Sequence, residues 1–400
     1  MIKLTPTQLL LFVSFFILYE INTYISNDMI MPAMINIVQE FHANIEDISK
    51  SVSLFVIGGS LIAVFLVPIC DIWSKKKVLL TGNVFFLISN ILSLFSNSID
   101  FFLMTRLMQG AGMSFIFIGY AVLHENTDDK TFVKLSSILG SITILAPLLG
   151  PVIGSLVIIK YSWHYIFLIN IILASFSLLG LLFFMPADSS ITSSCQLSLK
   201  KYLITYYKII TSSIFLLGAI NTVLYSTIMV GWIALAPVLI MHTLHKSFED
   251  FVIYQAFVFS GAILSGFIIR ICAGKVSFRN IIKTAAICEF CGCLLAFICH
   301  NNTPLFLFSM FIAVFACFFA YGVLIRSIIT SNEFPINTNS AVLSTISGIS
   351  FALSLELANY ICAYFDYTFK SFSIFNLLAS ILLLLFALLY AKKIAHRDWK

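Results

Sequence analysis

Apolar runs of roughly twenty residues recur from one end of the 400-residue chain to the other, and a run of that length matches the hydrocarbon core of a bilayer when coiled as a helix. A transmembrane β-barrel would instead show shorter segments of alternating polarity, which are absent. The composition leads the same way. With 60% hydrophobic residues, 10% charged residues and a mean hydropathy of +1.02, the chain has more apolar surface than one soluble core can enclose. The first run contains Glu20 and Asp28, lacks a small-residue cleavage pattern and is too long for a secretory leader, so it reads as a retained first helix. The expected fold class is an all-α membrane protein with twelve helices near 8–31, 48–70, 77–96, 101–124, 134–159, 163–185, 212–241, 250–273, 278–299, 304–329, 338–364 and 370–391.

The longest interior polar segment follows the sixth helix, and it divides the chain into an N-terminal half 1–186, a linker 187–211 and a C-terminal half 212–400. An even helix count puts both termini on one side. If that side is cytoplasmic, 17 of the 23 Lys and Arg residues fall inside and four (Lys50, Lys160, Lys246 and Lys370) outside, with Arg106 and Arg326 left within the membrane. The positive-inside rule therefore predicts cytoplasmic termini, and the net charge of +5 reads as a topology signal rather than a nucleic-acid patch. Nine cysteines, mostly inside apolar runs, read as small hydrophobes; Cys288, Cys291 and Cys293 beside Glu289 point in different directions around a helix and lack a second ligand cluster for a metal.

Ionisable side chains within lipid cost a few kcal/mol or more each and mark candidate sites. Helix one holds Glu20, Tyr24, Asn27 and Asp28 at i, i+4, i+7 and i+8, one stripe that must face a polar cavity or partner helices. Helix four runs in the opposite sense and brings Arg106 to about the depth of Asp28, with Glu125 at its cytoplasmic end. Asp28 and Arg106 are expected to lie close, either as a buried pair that fixes helix packing or as part of a proton-coupling site, whereas Glu20 has no evident partner. Carboxyls in such unlike surroundings differ in proton affinity, which suits a carrier that exchanges protons for substrate. Glu289, Glu356 and Arg326 are accessory candidates in the second half, Arg326 being near enough to its helix end to snorkel. Helix five contains Pro147, Gly150, Pro151 and Gly154, a density of bends and close approaches that suits an interface able to open and close.

Several of these stretches carry a resemblance. Gly150-Pro151-Val152-Ile153-Gly154 resembles the antiporter motif of major facilitator exporters, and Arg106-Leu107-Met108-Gln109-Gly110-Ala111-Gly112 resembles that family's helix-four motif, whose arginine is associated with proton coupling. The helix-one segment from Tyr19 to Pro32 is similar to that of MdfA-type multidrug/proton antiporters, as are Gly58-Gly59, Trp232-Ile233-Ala234 with Pro237, Arg326 and Glu356 at their places. The loop after helix two departs from the family's pattern: Asp71, Lys75 and Lys76 are kept, but Val67 and Ser74 stand at glycine positions and Ile72 at an arginine. Asn359 replaces a lysine of that type in helix eleven.

The resemblance implies a major facilitator fold, two six-helix halves in a bacterial inner membrane, acting as a monomer. It implies proton coupling at Glu20, Asp28 and Arg106, substrate contact by Glu20, Tyr24, Asn27, Asp28, Trp232, Ala234 and Leu235, and gating by Asp71, Lys75, Lys76 and the helix-five motif, with Glu125 as a further accessory group. The expected activity is export of lipophilic cationic or neutral drugs in exchange for protons, with no cofactor beyond the coupling ion. A dedicated exporter of one endogenous metabolite shares the same fold and coupling. An enzyme is not expected, since no nucleophile motif or phosphate-binding loop is visible and the histidines fall at helix ends or outside.

Overall fold

The computed structural model describes residues 5–70, 72–186 and 199–394, and among these every regular element is a helix. Short side chains set where most helices begin. Thr5 and Gln8 form a capping box ahead of α1 (Pro6–Met29), which continues through a 3-10 turn (Met31–Ala33) into α2 (Met34–Glu40). After α3 (Asp47–Cys70), Ser74 caps α4 (Lys75–Leu94) and Ser98 caps α5 (Ile99–Met113). Then follow α6 (Ile116–Asn126), α7 (Asp129–Lys160), capped by Asp128, and α8 (His164–Phe184). The helix expected over 101–124 is thus two helices in line, broken at Ser114 and Phe115 where the Ser114 hydroxyl bonds the Gly59 carbonyl of α3.

After α9 (Leu199–Thr211) the second half contains α10 (Ser213–Pro237) with a π-helical extension (Val238–Thr243), α11 (Phe248–Cys272), α12 (Phe278–Ile298), α13 (Thr303–Ile329), α14 (Ile336–Tyr364) and α15 (Phe369–Lys393). Caps from Ser247, Ser277, Asn302 and Thr368 open α11, α12, α13 and α15. Among the described residues, eleven helical stretches are long and apolar enough to cross a membrane, and the 32-residue α7, with an apolar part over Leu145–Lys160, completes the twelve. Large apolar side chains such as Phe183 (73% exposed) and Leu353 (66%) stand on the outside, where lipid rather than water is their solvent.

The chain divides into two compact units between Leu203 and Ile204. That division falls in the segment 187–211 read as a linker, of which 199–211 is helix α9 and 187–198 lies outside the described residues. In the first unit α1 packs on α7 and α8, α3 on α5, and α4 on α5 and α8; in the second, α10 packs on α14 and α15, α11 on α13, and α12 on α13 and α15. Counting crossings from the start of each unit, these are the same five pairings. The repeat that is faint in the sequence is plain in the packing. Each unit has its own core, built around Phe12, Phe16, Tyr19 and Phe86 in the first and around Tyr225, Ile281, Leu324 and Tyr390 in the second.

Candidate functional site

The polar stripe of α1 is built into the first unit by bonds to its neighbours. The Tyr19 hydroxyl donates to the Gly112 carbonyl at 2.5 Å, and the Asn22 amide donates to the Asn170 carbonyl of α8 at 2.9 Å. Thr23 and Ser26 return their hydroxyls to the α1 backbone, at Tyr19 and Thr23. With those positions occupied, Glu20 and Asn27 are left to meet α6 and α5, and Asp28 to meet α7. Close approach is secured by glycine. A Cβ at Gly150 would overlap the Asp28 side chain, and one at Gly154 would overlap the Met29 carbonyl, so these α7 residues press directly on α1 at Asp28. Pro147 and Pro151 sit inside the same helix without ending it.

Arg106 is fully buried, and each of its three guanidinium nitrogens donates a hydrogen bond. Its Nε donates to Ser51 Oγ of α3 at 3.0 Å, one terminal nitrogen to Gln109 Oε1 at 2.5 Å, and the other to Asn27 Oδ1 of α1 at 2.6 Å. The group also lies 4.8 Å from the centre of the Phe55 ring, and Gln109 passes the network on to Ser93 of α4 at 2.9 Å. A direct Asp28–Arg106 pair is not found among the described residues. Instead the Asn27 amide lies between them, accepting from Arg106 and donating to Asp28 Oδ1 at 3.2 Å. The reason is steric: Asp28 stands one position further round the helix, against α7, while Asn27 faces α5. Arg106 thereby ties α1, α3 and α5 together through one planar fork, with α4 joined through Gln109.

Glu20 departs from expectation in the other direction, because it does have a partner. The Tyr120 hydroxyl of α6 donates to Glu20 Oε1 at 2.7 Å, while Oε2 is buried without a hydrogen bond. Phe16 meets the Tyr120 ring edge-on at 5.6 Å and Tyr24 lies near the Tyr120 hydroxyl, so the carboxyl is set in an aromatic wall. Tyr24 and Asn27 are partly exposed, whereas Glu20 (0%) and Asp28 (5%) are buried. Tyr120, Ser51 and Phe55 were not among the residues singled out from sequence; an uncharged residue on a neighbouring helix carries no mark of its own there.

The remaining candidates are described within the unit that holds each. Lys75 pairs with Glu125 at 2.6 Å, linking the start of α4 to the end of α6, and Lys76 donates to the Met185 carbonyl at 2.8 Å. Asp71 lies outside the described residues. In the second unit Trp232, Ala234 and Leu235 are fully buried, the Trp232 ring tilted against Phe306 of α13 and Phe372 of α15 with centroids 6.3 and 6.2 Å away. Arg326 is exposed in the last turn of α13 and Glu356 is half-buried in α14. Glu289, at the middle of α12, is fully buried with neither carboxyl oxygen bonded.

Comparison with known proteins places these features in a family. The multidrug transporter MdfA of Yersinia pestis is 28% identical over 393 residues, covering 96% of this chain and 94% of its own. The chloramphenicol resistance protein CraA of Acinetobacter baumannii is 31% identical over 358 residues, covering 87% and 85%. Among solved structures, a D-xylose–proton symporter superposes with a TM-score of 0.71 at 13% identity, over 94% of this chain and 96% of its own. A bacterial homologue of the human lysosomal transporter Spinster does so at 0.72 and 12%, over the full length of both. At such identities the likeness is of fold alone. The family model of the Major Facilitator Superfamily matches residues 16–355, from within α1 into α14, and with the repeated six-crossing units it follows that the chain belongs to that superfamily of membrane transporters.

Proposed function

We propose that the chain is a proton-coupled exporter of lipophilic cationic or neutral drugs, working in a bacterial inner membrane as a monomer with both termini cytoplasmic. The observation that carries this reading is the helix-one cluster: two buried carboxyls on one helix, one held by a single phenol in an aromatic wall and the other joined through Asn27 to a buried arginine. A buried carboxyl with a spare oxygen is able to hold either a proton or a cationic substrate, and both cannot occupy it at once. The names of relatives over nearly the whole chain, one a multidrug transporter and one a chloramphenicol resistance protein, support drugs as the cargo class.

In the proposed cycle, Glu20 or Asp28 takes a proton while the site is open outward, and substrate displaces it when the site is open inward. Tyr24 and Asn27, the partly exposed members of the stripe, meet the substrate first. Arg106 acts as a fixed positive charge near Asp28 and, through Ser51 and Gln109, reports its state to α3 and α4. Pressure of Gly150 and Gly154 on α1 couples any shift of Asp28 to α7. The test is proton release from detergent-solubilised protein on adding tetraphenylphosphonium, repeated with Glu20→Gln and Asp28→Asn. Release that shrinks in either variant supports competition at the helix-one site. Folded wild-type protein that releases nothing, with this cation or with neutral drugs such as chloramphenicol, refutes the reading in favour of a dedicated metabolite exporter.

A further inference from the structure

Among the described residues the buried carboxyls are Glu20, Asp28, Asp47 and Glu289, and only Glu289 has both oxygens without a hydrogen-bond partner. Asp47 pairs with Lys50, and the two carboxyls of α1 are bonded as described. The groups facing Glu289 are Cys293 from its own helix, Cys317 from α13 and Tyr225 from α10; α15 presents Ser380 beside Cys293. None of these is a cation, and the Tyr225 hydroxyl is already committed to the Ile282 carbonyl at 2.5 Å. An ionised carboxylate in this place is therefore unpaired, undonated-to and out of water, and among the described residues no group of three His, Cys, Asp or Glu side chains stands ready to hold a metal ion. The proton is the neutralising partner that fits.

The repeat shows that the fold does not require an acid here. Aligned on their serine N-caps, Ser74 for α4 and Ser277 for α12, the helices place Phe86 and Glu289 each 12 residues beyond the cap. Both are fully buried, and Phe86 fills its site as a ring against Tyr19. A neutral acid kept only for packing would bond its hydroxyl to an acceptor, and Glu289 does not. Such a group, unsatisfied in one conformation, is suited to a two-state element that satisfies it in another.

We propose that Glu289 is a second proton site, in the C-terminal half and separate from Glu20 and Asp28, which binds and releases a proton as the transporter changes conformation. The proposal rests on the proton-coupled reading above, and its test has a readout that does not depend on the cargo. Infrared difference spectra of the lipid-reconstituted protein between mildly acidic and mildly alkaline buffer report carboxylic acids that lose their proton. Expected is a titrating carboxylic C=O band that shifts in D2O, is absent in Glu289→Gln, and moves rather than disappears in Glu289→Asp. If Glu289→Gln does not fold, the Glu20→Gln/Asp28→Asn double variant serves instead, and the band should remain there. A band that neither titrates nor shifts in D2O, or a spectrum unchanged by Glu289→Gln, overturns the proposal. In a transporting preparation each coupled proton multiplies the limiting accumulation by about tenfold per unit of pH difference, so loss of one in Glu289→Gln lowers that limit about tenfold. A band that behaves as expected in protein that moves none of the probe drugs leaves Glu289 as a proton site and refutes the drug-export reading alone.

Discussion

Replacing Asn27 tests whether Arg106 depends on α1 for its position. In the wild type three guanidinium nitrogens have acceptors at 3.0, 2.5 and 2.6 Å, the last being Asn27 Oδ1. Asn27→Ala removes that acceptor from a fully buried charge and also removes the donor to Asp28. A hydrogen bond to a charged group contributes about 1.5–3 kcal/mol, and an orphaned buried donor costs a similar amount, so the loss should be about 2–3 kcal/mol where water does not enter. Ser51 and Gln109 still hold the other two nitrogens, which keeps the cost below that of deleting the arginine itself. Asn27→Asp keeps an acceptor at the same reach but sets a second carboxyl against the buried Asp28, so it should recover the contact to Arg106 only where one of the two carboxyls holds a proton. The assay is thermal unfolding in one detergent, followed both by loss of monodisperse protein and by tryptophan emission. An Asn27→Ala variant as stable as wild type would show that Asn27 does not position Arg106.

Other contacts make separate claims. Gly154→Leu drives a branched side chain into the Met29 carbonyl and should separate α7 from α1, abolishing transport and lowering stability by about 1–3 kcal/mol by overpacking, read from efflux and thermal unfolding. Arg106→Lys retains charge but loses the fork that serves Ser51, Gln109 and Asn27 together, and should lose most activity despite expressing at wild-type levels in membranes. Lys75→Ala and Glu125→Ala should each change stability by less than about 1 kcal/mol because the pair is partly solvated, and a double-mutant cycle should return a coupling of the same small size. Tyr120→Phe deletes the bonded donor of the buried Glu20 and should alter cation binding and cost about 1–3 kcal/mol of stability, as measured by tetraphenylphosphonium affinity and unfolding temperature.

Residue pattern specified the crossings because the requirement they satisfy is local. A run of apolar residues of bilayer length carries its own span, and in the structure Ser74, Ser98, Ser247 and Ser277 cap the helices that follow. Boundaries slipped where the determinant is tertiary. Gly110 and Gly112 weaken the helix just ahead of Ser114, and the break falls where Ser114 bonds the Gly59 carbonyl on another helix. For the same reason the sequence brings Asp28 and Arg106 near one another without showing that Asn27 stands between them. Depth follows from counting residues along two antiparallel helices, but contact depends on azimuth, and one step of about 100° sets Asn27 toward Arg106 and Asp28 toward α7.

The two units solve one packing problem with different chemistry, and the contrast bears on how transport is distributed between them. At the first crossing of the first unit, α1 carries two buried carboxyls wired to α5 and α6 through Asn27, Arg106 and Tyr120. Its repeat counterpart, α10, has no carboxyl and buries Tyr225 and Trp232 instead. The second unit's buried acid is displaced to α12, a helix whose counterpart α4 holds Phe86 at the same place. Since the pairings of helices are the same in both units, exchange of acid for ring is not forced by backbone geometry. A wired carboxyl is one whose protonation is felt at once by Arg106 and the helices it ties; an unwired one in a packed core is felt only when the helices around it move. On the proposed reading, a proton at Glu20 or Asp28 is suited to sensing substrate, and one at Glu289 to sensing conformation. Uncoupling of the first kind should appear as lost competition between drug and proton, and of the second as drug binding retained with a weakened response to the pH gradient.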